Sequence, residues 1–390
     1  MSTFSNGFLF TPVSDAGLST TLSYMNEIDP GTRIINVYMD IQNISTVYSN
    51  VELYMQKPTL ENAFNDILSA VAKLIDFYIS NNYRCHVWIY YDDKKNLFNH
   101  NLIPQWKENR VKSLTSLSEK DQLAYTSIIE LKKMLKLALK SLAHIVNTSN
   151  RASIVCLEYI DSDFFPALIK QIYKDTKMFH LLISTDHDYI HMINDDYTFR
   201  YNRAHKKYYE NMPLIETVYN RNLFIKYKLK LKTNEQAIKA VTYYQILHAL
   251  GGDGTDSVTP IVPRYGFITW LKKLSDSEPV DIVIDKIFKK EIEFEKITDI
   301  DEITKRLFIF DFEITAKLFM YYMVDEEYKD KYNCYIEKLR LLSSPNLKIV
   351  EDNVKIVSPL FDNAREKPEN IEDIFNQFKI NKNVIKYLWI

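Results

Sequence analysis

The stretch Arg33-Ile34-Ile35-Asn36-Val37-Tyr38-Met39-Asp40 is an apolar, β-branched run that stops at an aspartate. Such a run is typical of a strand buried on both faces of a parallel sheet. Similar runs alternate with segments whose apolar residues have helical spacing. This alternation predicts an α/β fold with a mainly parallel central sheet flanked by helices. The other predicted strands are 85–91, 154–157 and 179–184, and the main predicted helices between them are 59–80 and 118–145.

Aspartates follow each of these predicted strands. The carboxyl ends of parallel strands meet at one edge of a sheet, which is where such sheets bind ligands. Any single aspartate there is more often a turn former or a helix cap, but the ordered set favours a metal site. Carboxylates suit Mg²⁺ or Mn²⁺, and two such ions can drive phosphodiester hydrolysis. The candidate ligands are Asp40, Asp92, Asp161, Asp163, Asp186, Asp188, Asp253 and Asp256.

Composition excludes several other classes of protein. Three cysteines, Cys85, Cys156 and Cys334, lie far apart without C-x-x-C spacing, so neither a disulfide framework nor a zinc site is expected. No stretch approaches the roughly 18 apolar residues of a membrane span, and the amino terminus has no signal-peptide pattern. The sequence therefore predicts a cytoplasmic protein without membrane contact. A net charge of −2 is neutral evidence on nucleic acid, because acidic sites mask basic patches in the sum.

Six short segments, in chain order, resemble those of the 5′-nuclease family, which includes flap endonucleases and the 5′-nuclease domains of DNA polymerases. Two contain an aspartate at the end of a predicted strand, and the others are similar to the family's Y-K-x-N-R, acidic helix-start, S-x-D-x-D and G-D-x-x-D-N patterns. The likeness covers roughly residues 33–275 and is greatest to the phage 5′-exonucleases and ribonucleases H. The segments are VYMDIQN (37–43), WIYYD (88–92), PQWKENR (104–110), DSDFF (161–165), ISTDHD (183–188) and GDGTDS (252–257).

The resemblance implies a PIN-like nuclease core with a helical arch and a role for each matched residue. Asp40, Asp92, Asp161 and Asp163 would hold one metal ion. Asp163 would bridge to a second ion held by Asp186, Asp188 and Asp253, with Asp256 acting through water. Lys107 and Arg110 would face the scissile phosphate and stabilise charge in the transition state. Trp106 would stack on a terminal base. The cofactors implied are two Mg²⁺ or Mn²⁺ ions.

This chain departs from the family pattern in two places. The acidic helix start has Asp161 where the family usually has Glu, and Phe164 where a second Asp often stands. Glu158, one helical turn earlier, is therefore an alternative ligand. The segment 258–266 has a single glycine where the family has a glycine-rich hairpin whose amides hold duplex phosphate. The helix–three-turn–helix expected at 251–275 is thus degenerate.

Two basic segments are candidate nucleic-acid contacts. Lys226, Lys228, Lys230 and Lys232 alternate with apolar residues, so a strand here would present a row of ammonium groups to a phosphate backbone. An edge strand protected by lysines is the alternative. Arg200, Arg203 and Lys206 are interleaved with aromatic residues, which suits either nucleic acid or a solvated loop. His187, between two proposed ligands, is expected to be a partly exposed histidine and not a ligand.

The domain organisation and function follow from these features. We expect an extension at 1–32, a nuclease core at 33–250 with an arch region about 97–145, and a helical region at 251–390. The leading hypothesis is a structure-specific 5′-nuclease, a flap endonuclease or 5′–3′ exonuclease, that removes flaps or RNA primers in replication or repair. Its partners would be DNA or RNA–DNA with 5′ ends, flaps or nicks, and replication proteins. The alternatives are a catalytically weakened nucleic-acid-binding or scaffold protein, and a PIN-type ribonuclease.

Overall fold

The computed structural model describes residues 15–47, 60–93, 97–109, 118–146, 151–202, 214–274 and 300–323, with isolated positions between 279 and 286. One six-stranded sheet organises these residues. Its strands, in chain order, are β1 (Ile34–Asp40), β2 (Arg84–Asp92), β3 (Ala152–Leu157), β4 (Phe179–Ile183), β5 (Thr198–Tyr201) and β6 (Ile215–Glu216).

The strand order in the sheet is β3-β2-β1-β4-β5-β6, and only the β5–β6 pair is antiparallel. The predicted mainly parallel sheet is therefore confirmed. Chain order runs one way from β1 to β3 and the other way from β4 onward. The β1–β4 boundary is consequently the topological switch point, the place where sheets of this kind open a crevice beyond their carboxyl ends.

Helices and short 3₁₀ turns connect the strands. The helices are α1 (Asp15–Ile28), α2 (Ile41–Val47), α3 (Leu60–Ser80), α4 (Leu97–Leu102), α5 (Glu119–Val146), α6 (Phe165–Ile172), α7 (Arg221–Lys228), α8 (Asn234–Thr242), α9 (Tyr244–Gly251), α10 (Phe267–Lys273), α11 (Ile300–Phe310) and α12 (Phe312–Met323). The 3₁₀ turns, Ser162–Phe164 and His187–Met192, follow β3 and β4.

The two faces of the sheet bury separate cores. Because side chains alternate along a strand, Val37 and Met39 pack with α1, α3 and α5 on one face. Tyr38 packs on the other face with α6, α9, α11 and α12. A strand covered on both faces has no need for a polar side, which explains why β1 reads as a continuous apolar run.

Three predictions from the sequence can be compared with the structure: the extension at 1–32, the arch region and the C-terminal helical region. Residues 1–32 were expected to be an extension ahead of the core, but α1 within them belongs to the core, since Leu18 and Met25 are fully buried there. The second half of α5, within the proposed arch, packs against β3, with Leu139 and Leu142 fully buried. Residues 110–117 lie outside the described residues, so the arch itself stays a prediction. Within the helical region expected at 251–390, residues 287–299 and 324–390 also lie outside the described residues.

The predicted strand across residues 226–232 is wrong. Lys226 and Lys228 lie in the last turn of α7, and Lys230 has a left-handed backbone with φ 53° that ends the helix. The alternation of lysine with apolar residues is real, but Phe224 and Ile225 are buried together, as helical packing requires. Across the described ranges, no helix combines the length and apolarity that crossing a membrane requires.

Candidate active site

Aspartates gather at the carboxyl edge of the sheet, as the sequence predicts. Asp40 is the last residue of β1 and Asp92 the last of β2. The 3₁₀ turns after β3 and β4 carry the other strand-end carboxylates. The turn between α9 and α10 brings the last two to the same edge. A cleft of about 240 Å³ is lined by six of the eight candidates, namely Asp161, Asp163, Asp186, Asp188, Asp253 and Asp256.

The two turns after β3 and β4 have the same local design. In each, an extended aspartate precedes a 3₁₀ turn and accepts a hydrogen bond from the backbone N–H two residues on. The Asp163 N–H donates to Asp161 Oδ1 at 3.4 Å, and the Asp188 N–H donates to Asp186 Oδ1 at 2.9 Å. One carboxylate thus fixes the turn and brings the second to the cleft. The first aspartate of each D-x-D segment forms the turn by accepting this bond, and the second is the residue that donates it.

Asn43 joins the ends of the two central strands. Its N–H donates to Asp40 Oδ1 at 3.0 Å, and its Oδ1 accepts from the N–H and hydroxyl of Thr185 at 2.9 and 3.0 Å. Asn43 therefore links the carboxyl ends of β1 and β4 at the switch point of the sheet. Sequence analysis quoted Asn43 only as part of a strand-end segment. Its role depends on a partner 142 positions away, so local pattern alone does not reveal it.

Burial and mutual repulsion oppose ionisation of the carboxyl groups in and beside the cleft. Asp40 is 2% exposed; burial, reinforced by neighbouring carboxylates, raises its pKa to about 7. The pKa of Asp163 and that of Asp188 are raised well above the ordinary value, first by burial and then by the carboxylates around them. Simultaneous ionisation of these carboxyl groups is unfavourable unless cations are bound near them. Oxygen donors in this number fit hard divalent ions.

Two lysines offset part of this charge at the Asp92 and Asp161 end. Lys107 Nζ lies 2.8 Å from Asp161 Oδ2, and Lys136 Nζ lies 3.2 Å from Asp92 Oδ1. Lys136 also donates to the backbone carbonyl of Asp92. Burial by itself would raise the pKa of Asp161, but the Lys107 ammonium and the hydrogen bonds on this carboxylate outweigh it and lower that pKa. Sequence analysis did not identify Lys136 as a site residue.

Tyrosine hydroxyls support the remaining carboxylates. Tyr189 donates to Asp163 Oδ1 at 3.2 Å, and Tyr244 donates to Asp188 Oδ1 at 3.4 Å. The Tyr189 hydroxyl also lies 2.8 Å from that of Tyr90. These hydroxyls orient the carboxylates toward the cleft. Sequence analysis missed them, because a buried tyrosine gives no local signal of what its hydroxyl contacts.

The segment that carries Lys107 is docked on the turn that carries Asp253 and Asp256. The Lys107 N–H donates to the Asp256 carbonyl at 2.8 Å, from a left-handed backbone with φ 61°. Asn109 donates from its N–H to Ser257 Oγ at 2.5 Å and from its side chain to the Gly254 carbonyl at 3.0 Å. The Lys107 and Asp256 segments, distant in sequence, therefore form one unit.

Arg200 is not the nucleic-acid contact that the sequence suggested, and Trp106 is largely buried. Trp106 is 4% exposed and packs on Phe310, but it also lines the cleft, with Lys107 Nζ 5.2 Å from its ring centroid, so stacking on a base stays a prediction. Arg200 is fully buried in a two-bond ion pair with the equally buried Glu216, with distances of 2.5 and 2.8 Å. It also donates to the carbonyl of Asp186. Interleaved arginine and tyrosine cannot by itself distinguish a basic surface from a buried pair.

Glu158 lies apart from the cleft. It pairs with Lys140 at 3.2 Å and forms a group with Asp93 and Cys156 whose potential ligand atoms lie within 4.8 Å of one another. The idea that Glu158 replaces a missing ligand gains no support from this position. Phe164, at the other altered position, is 2% exposed and packs on Phe319.

The remaining predicted residues divide into two groups. His187 lines the cleft and is partly exposed, as expected, and burial followed by the nearby Arg200 charge keeps its pKa well below the ordinary value. Lys228 also lines the cleft. Lys226 instead donates to Asn234 Oδ1 at 2.7 Å. Arg110, Arg203 and Lys206 lie outside the described residues.

Comparison with known proteins gives structural similarity alone. No protein-family model matches the chain, and no curated protein sequence matches it. The chain is similar to the bacteriophage T5 flap endonuclease in a complex with DNA and metal ions, at 15% identity, with 83% of this chain and 99% of that one covered and a TM-score of 0.48. It is also similar to the T5 5′-exonuclease with bound zinc, at 17% identity, with the same coverage and TM-score. At these identities the similarity is one of fold.

Proposed function

We propose that this protein is a divalent-metal-dependent 5′-nuclease that hydrolyses phosphodiester bonds at flaps or free 5′ ends. The observation that carries the proposal is the convergence of six aspartates and Lys107 in one cleft at the switch point of the sheet. A phosphodiester is anionic and resists hydrolysis, so its cleavage needs cations that neutralise charge and activate water. A cleft this rich in carboxylates is suited to hold such cations.

The donor set supports two Mg²⁺ or Mn²⁺ ions held by Asp40, Asp92, Asp161, Asp163, Asp186, Asp188 and Asp253, with Asp256 behind them. When bound, the ions would supply Lewis-acid activation of water and stabilisation of the leaving oxygen. The carboxylates come from separate strand ends, so folding alone assembles the set. The tyrosine hydroxyls and the D-x-D turns hold the carboxylates in place before any ligand arrives, which lowers the cost of binding.

Among the described residues, Lys107 is well placed to act on the phosphate. In the resting protein its ammonium is held by Asp161 at the edge of the cleft. Its backbone is fixed by the turn at Asp256. Transfer of the ammonium from Asp161 to a phosphate oxygen would stabilise the charge that grows in the transition state. Arg110, three residues on, is proposed for the same role.

The substrate is proposed to be DNA or RNA–DNA with a 5′ flap, nick or end, because segment 104–110 resembles the base of the arch through which 5′-nucleases pass a single strand. The test uses labelled 5′-flap, nicked, single-stranded and RNA–DNA substrates with Mg²⁺, followed by mapping of the products. Cuts near the branch or successive release from the 5′ end are expected. Cleavage confined to 3′ ends, or equal cleavage of all substrates at random positions, would contradict the proposed polarity.

A second function is a nucleic-acid-binding protein with a weakened catalytic centre. One observation favours it: Lys136 and Lys107 already neutralise Asp92 and Asp161, the carboxylates proposed for the first metal ion. Calorimetric titration with Mn²⁺ separates the two cases. Two bound ions per chain support the nuclease. A single ion, together with DNA binding and no cleavage, supports the binding protein.

A further inference from the structure

Lys228, the last residue of helix α7, brings a further cation to the acidic cleft. It lines the same cleft as Lys107, but its electrostatic neighbours are Asp188, Asp186 and Asp253. Lys107, in contrast, is at Asp161. The cleft therefore has a lysine near each of its two groups of carboxylates.

The backbone around Lys228 is firmly held. Phe224 and Ile225 of the same helix are fully buried. After the helix, the Leu231 N–H donates to the Lys226 carbonyl at 2.9 Å across the left-handed Lys230. Leu229 and Leu231 pack against the core. Lys228 is thus an exposed side chain that is presented to the cleft from a fixed helix end.

The ammonium of Lys228 differs in its bonding from the ammonium groups of the other lysines of the site. Lys107 and Lys136 each bond directly to a carboxylate, at 2.8 and 3.2 Å, and Lys226 on the same helix bonds to Asn234. Within the part of the chain that the structure describes, Lys228 forms no hydrogen bond and no ion pair within 4.0 Å. A lysine that served only to neutralise a carboxylate would be expected to bond to it, as the other two do.

We propose that Lys228 contacts a phosphate oxygen of the nucleic acid next to the reacting bond, on the Asp188 side of the cleft. This rests on the proposed function and adds an active-site cation to it. Once the carboxylates are neutralised by cations, they no longer attract the ammonium, and the substrate phosphate is the anion left for it. Two lysines at separated carboxylate groups would hold the backbone in one direction across the cleft. Lys226 and Lys230 are not among the residues that line the cleft.

The test compares Lys228→Gln and Lys228→Arg with the wild type. Lys177→Gln is the matched control, because Lys177 is exposed just before β4, at the opposite end of the sheet. Thermal melting first checks that each variant is folded. Binding of fluorescent 5′-flap DNA is measured in Ca²⁺, which is expected to neutralise the carboxylates without supporting cleavage, at several salt concentrations. Single-turnover cleavage is measured in Mg²⁺ at saturating enzyme.

Lys228→Gln is expected to reduce the salt dependence of binding by about one counterion. It should also reduce the single-turnover rate on the order of 10- to 100-fold. Lys228→Arg should keep most of both, and Lys177→Gln should match the wild type. A Lys228→Gln variant with unchanged salt dependence and rate would overturn the inference, and so would a change in binding alone, which would make Lys228 part of a general binding surface.

Failure of the proposed function is distinguishable from failure of this inference. A folded wild type that binds the DNA without cutting it in Mg²⁺ would refute the nuclease, and a lowered salt dependence for Lys228→Gln would then make Lys228 part of a general binding surface. A wild type that binds no DNA would overturn both. A cutting wild type with an equally fast Lys228→Gln variant would overturn this inference alone.

Discussion

Lys107 combines three features that rarely occur together in one residue. Its backbone is left-handed, with φ 61°, which non-glycine residues seldom adopt. Its N–H is bonded to a turn that carries two candidate ligands, and its ammonium is bonded to a third candidate ligand. Unusual backbone of this kind persists where surrounding contacts fix it, and it concentrates at functional sites. The turn at Asp256 and the carboxylate of Asp161 therefore hold Lys107 in place at the site.

Lys107→Ala should lower the single-turnover rate about 100-fold, roughly 3 kcal/mol, while weakening DNA binding much less. The reason is that its charge is expected to matter mostly when negative charge grows on the phosphate. Rapid-quench measurement at saturating enzyme checks this, with Lys177→Ala as the exposed control. A near-normal rate with clearly weaker binding would show that Lys107 only positions nucleic acid.

Asp186→Asn and Asp188→Asn should each abolish cleavage without loss of stability. Both carboxylates line the cleft, and the pKa of Asp188 is raised by burial and by its acidic neighbours. Removal of one charge relieves repulsion in the protein without metal, so the melting temperature should stay the same or rise. Asp175→Asn, at an exposed position before β4, is the control and should alter neither property. Normal turnover in both cleft variants would remove these residues from the site.

At the scale of elements, the turn after α9 is the most constrained connection to the site. Gly252 has φ 71°, and a Cβ there would collide with the backbone of Val258 and Thr259. This turn holds Asp253 and Asp256 and receives Lys107 and Asn109. Its glycine is therefore required by close backbone approach and by left-handed geometry at once.

Gly252→Ala should destabilise the protein by about 1–3 kcal/mol and impair cleavage, because the turn must shift. Gly254→Ala is a matched control two residues away, since a Cβ there meets nothing within 4 Å. Urea unfolding and cleavage assays compare the two. Equal stability of both variants would show that the turn is not under the constraint described.

The buried Arg200–Glu216 pair links β5 and β6 to the turn at Asp186. Arg200→Ala should cost about 3–5 kcal/mol, because it leaves Glu216 buried without a partner. Lys73→Ala, which breaks an exposed pair with Asp15, should cost less than about 1 kcal/mol. Denaturant unfolding measures both values. A cost for Arg200→Ala as small as that for Lys73→Ala would mean that Arg200 has no structural role.

Sequence analysis succeeded where local chemistry and global topology agree. A buried strand that stops at an aspartate and a D-x-D turn each have a local signature, so the strand ends and six carboxylates in one cleft were predictable. Arg200 was misassigned as a nucleic-acid contact because its partner, Glu216, comes from a different strand. Lysine alternation at 226–232 has the period of a strand, but Lys226 and Lys228 lie in a helix whose Phe224 and Ile225 are buried in the core.

At the scale of the whole molecule, the switch point of the sheet brings the site together from five separate connections. The two cores on either face fix the strand ends, and α11 and α12 close the cleft on one side, with Phe310 and Phe312 in its wall. Stability of the fold and assembly of the site are thus coupled. The concentration of carboxylates is a cost to the folded protein that bound cations would relieve.

The most direct test of the central claim is cleavage of 5′-flap DNA by the intact protein as a function of divalent metal. Mg²⁺ or Mn²⁺ should support cleavage, and Ca²⁺ should not, because it fits carboxylate cages but orients water poorly for in-line attack. EDTA should abolish cleavage reversibly, with activity restored by added Mg²⁺. Full cleavage in EDTA would contradict the account, because the aspartate cleft would then have no part in the reaction.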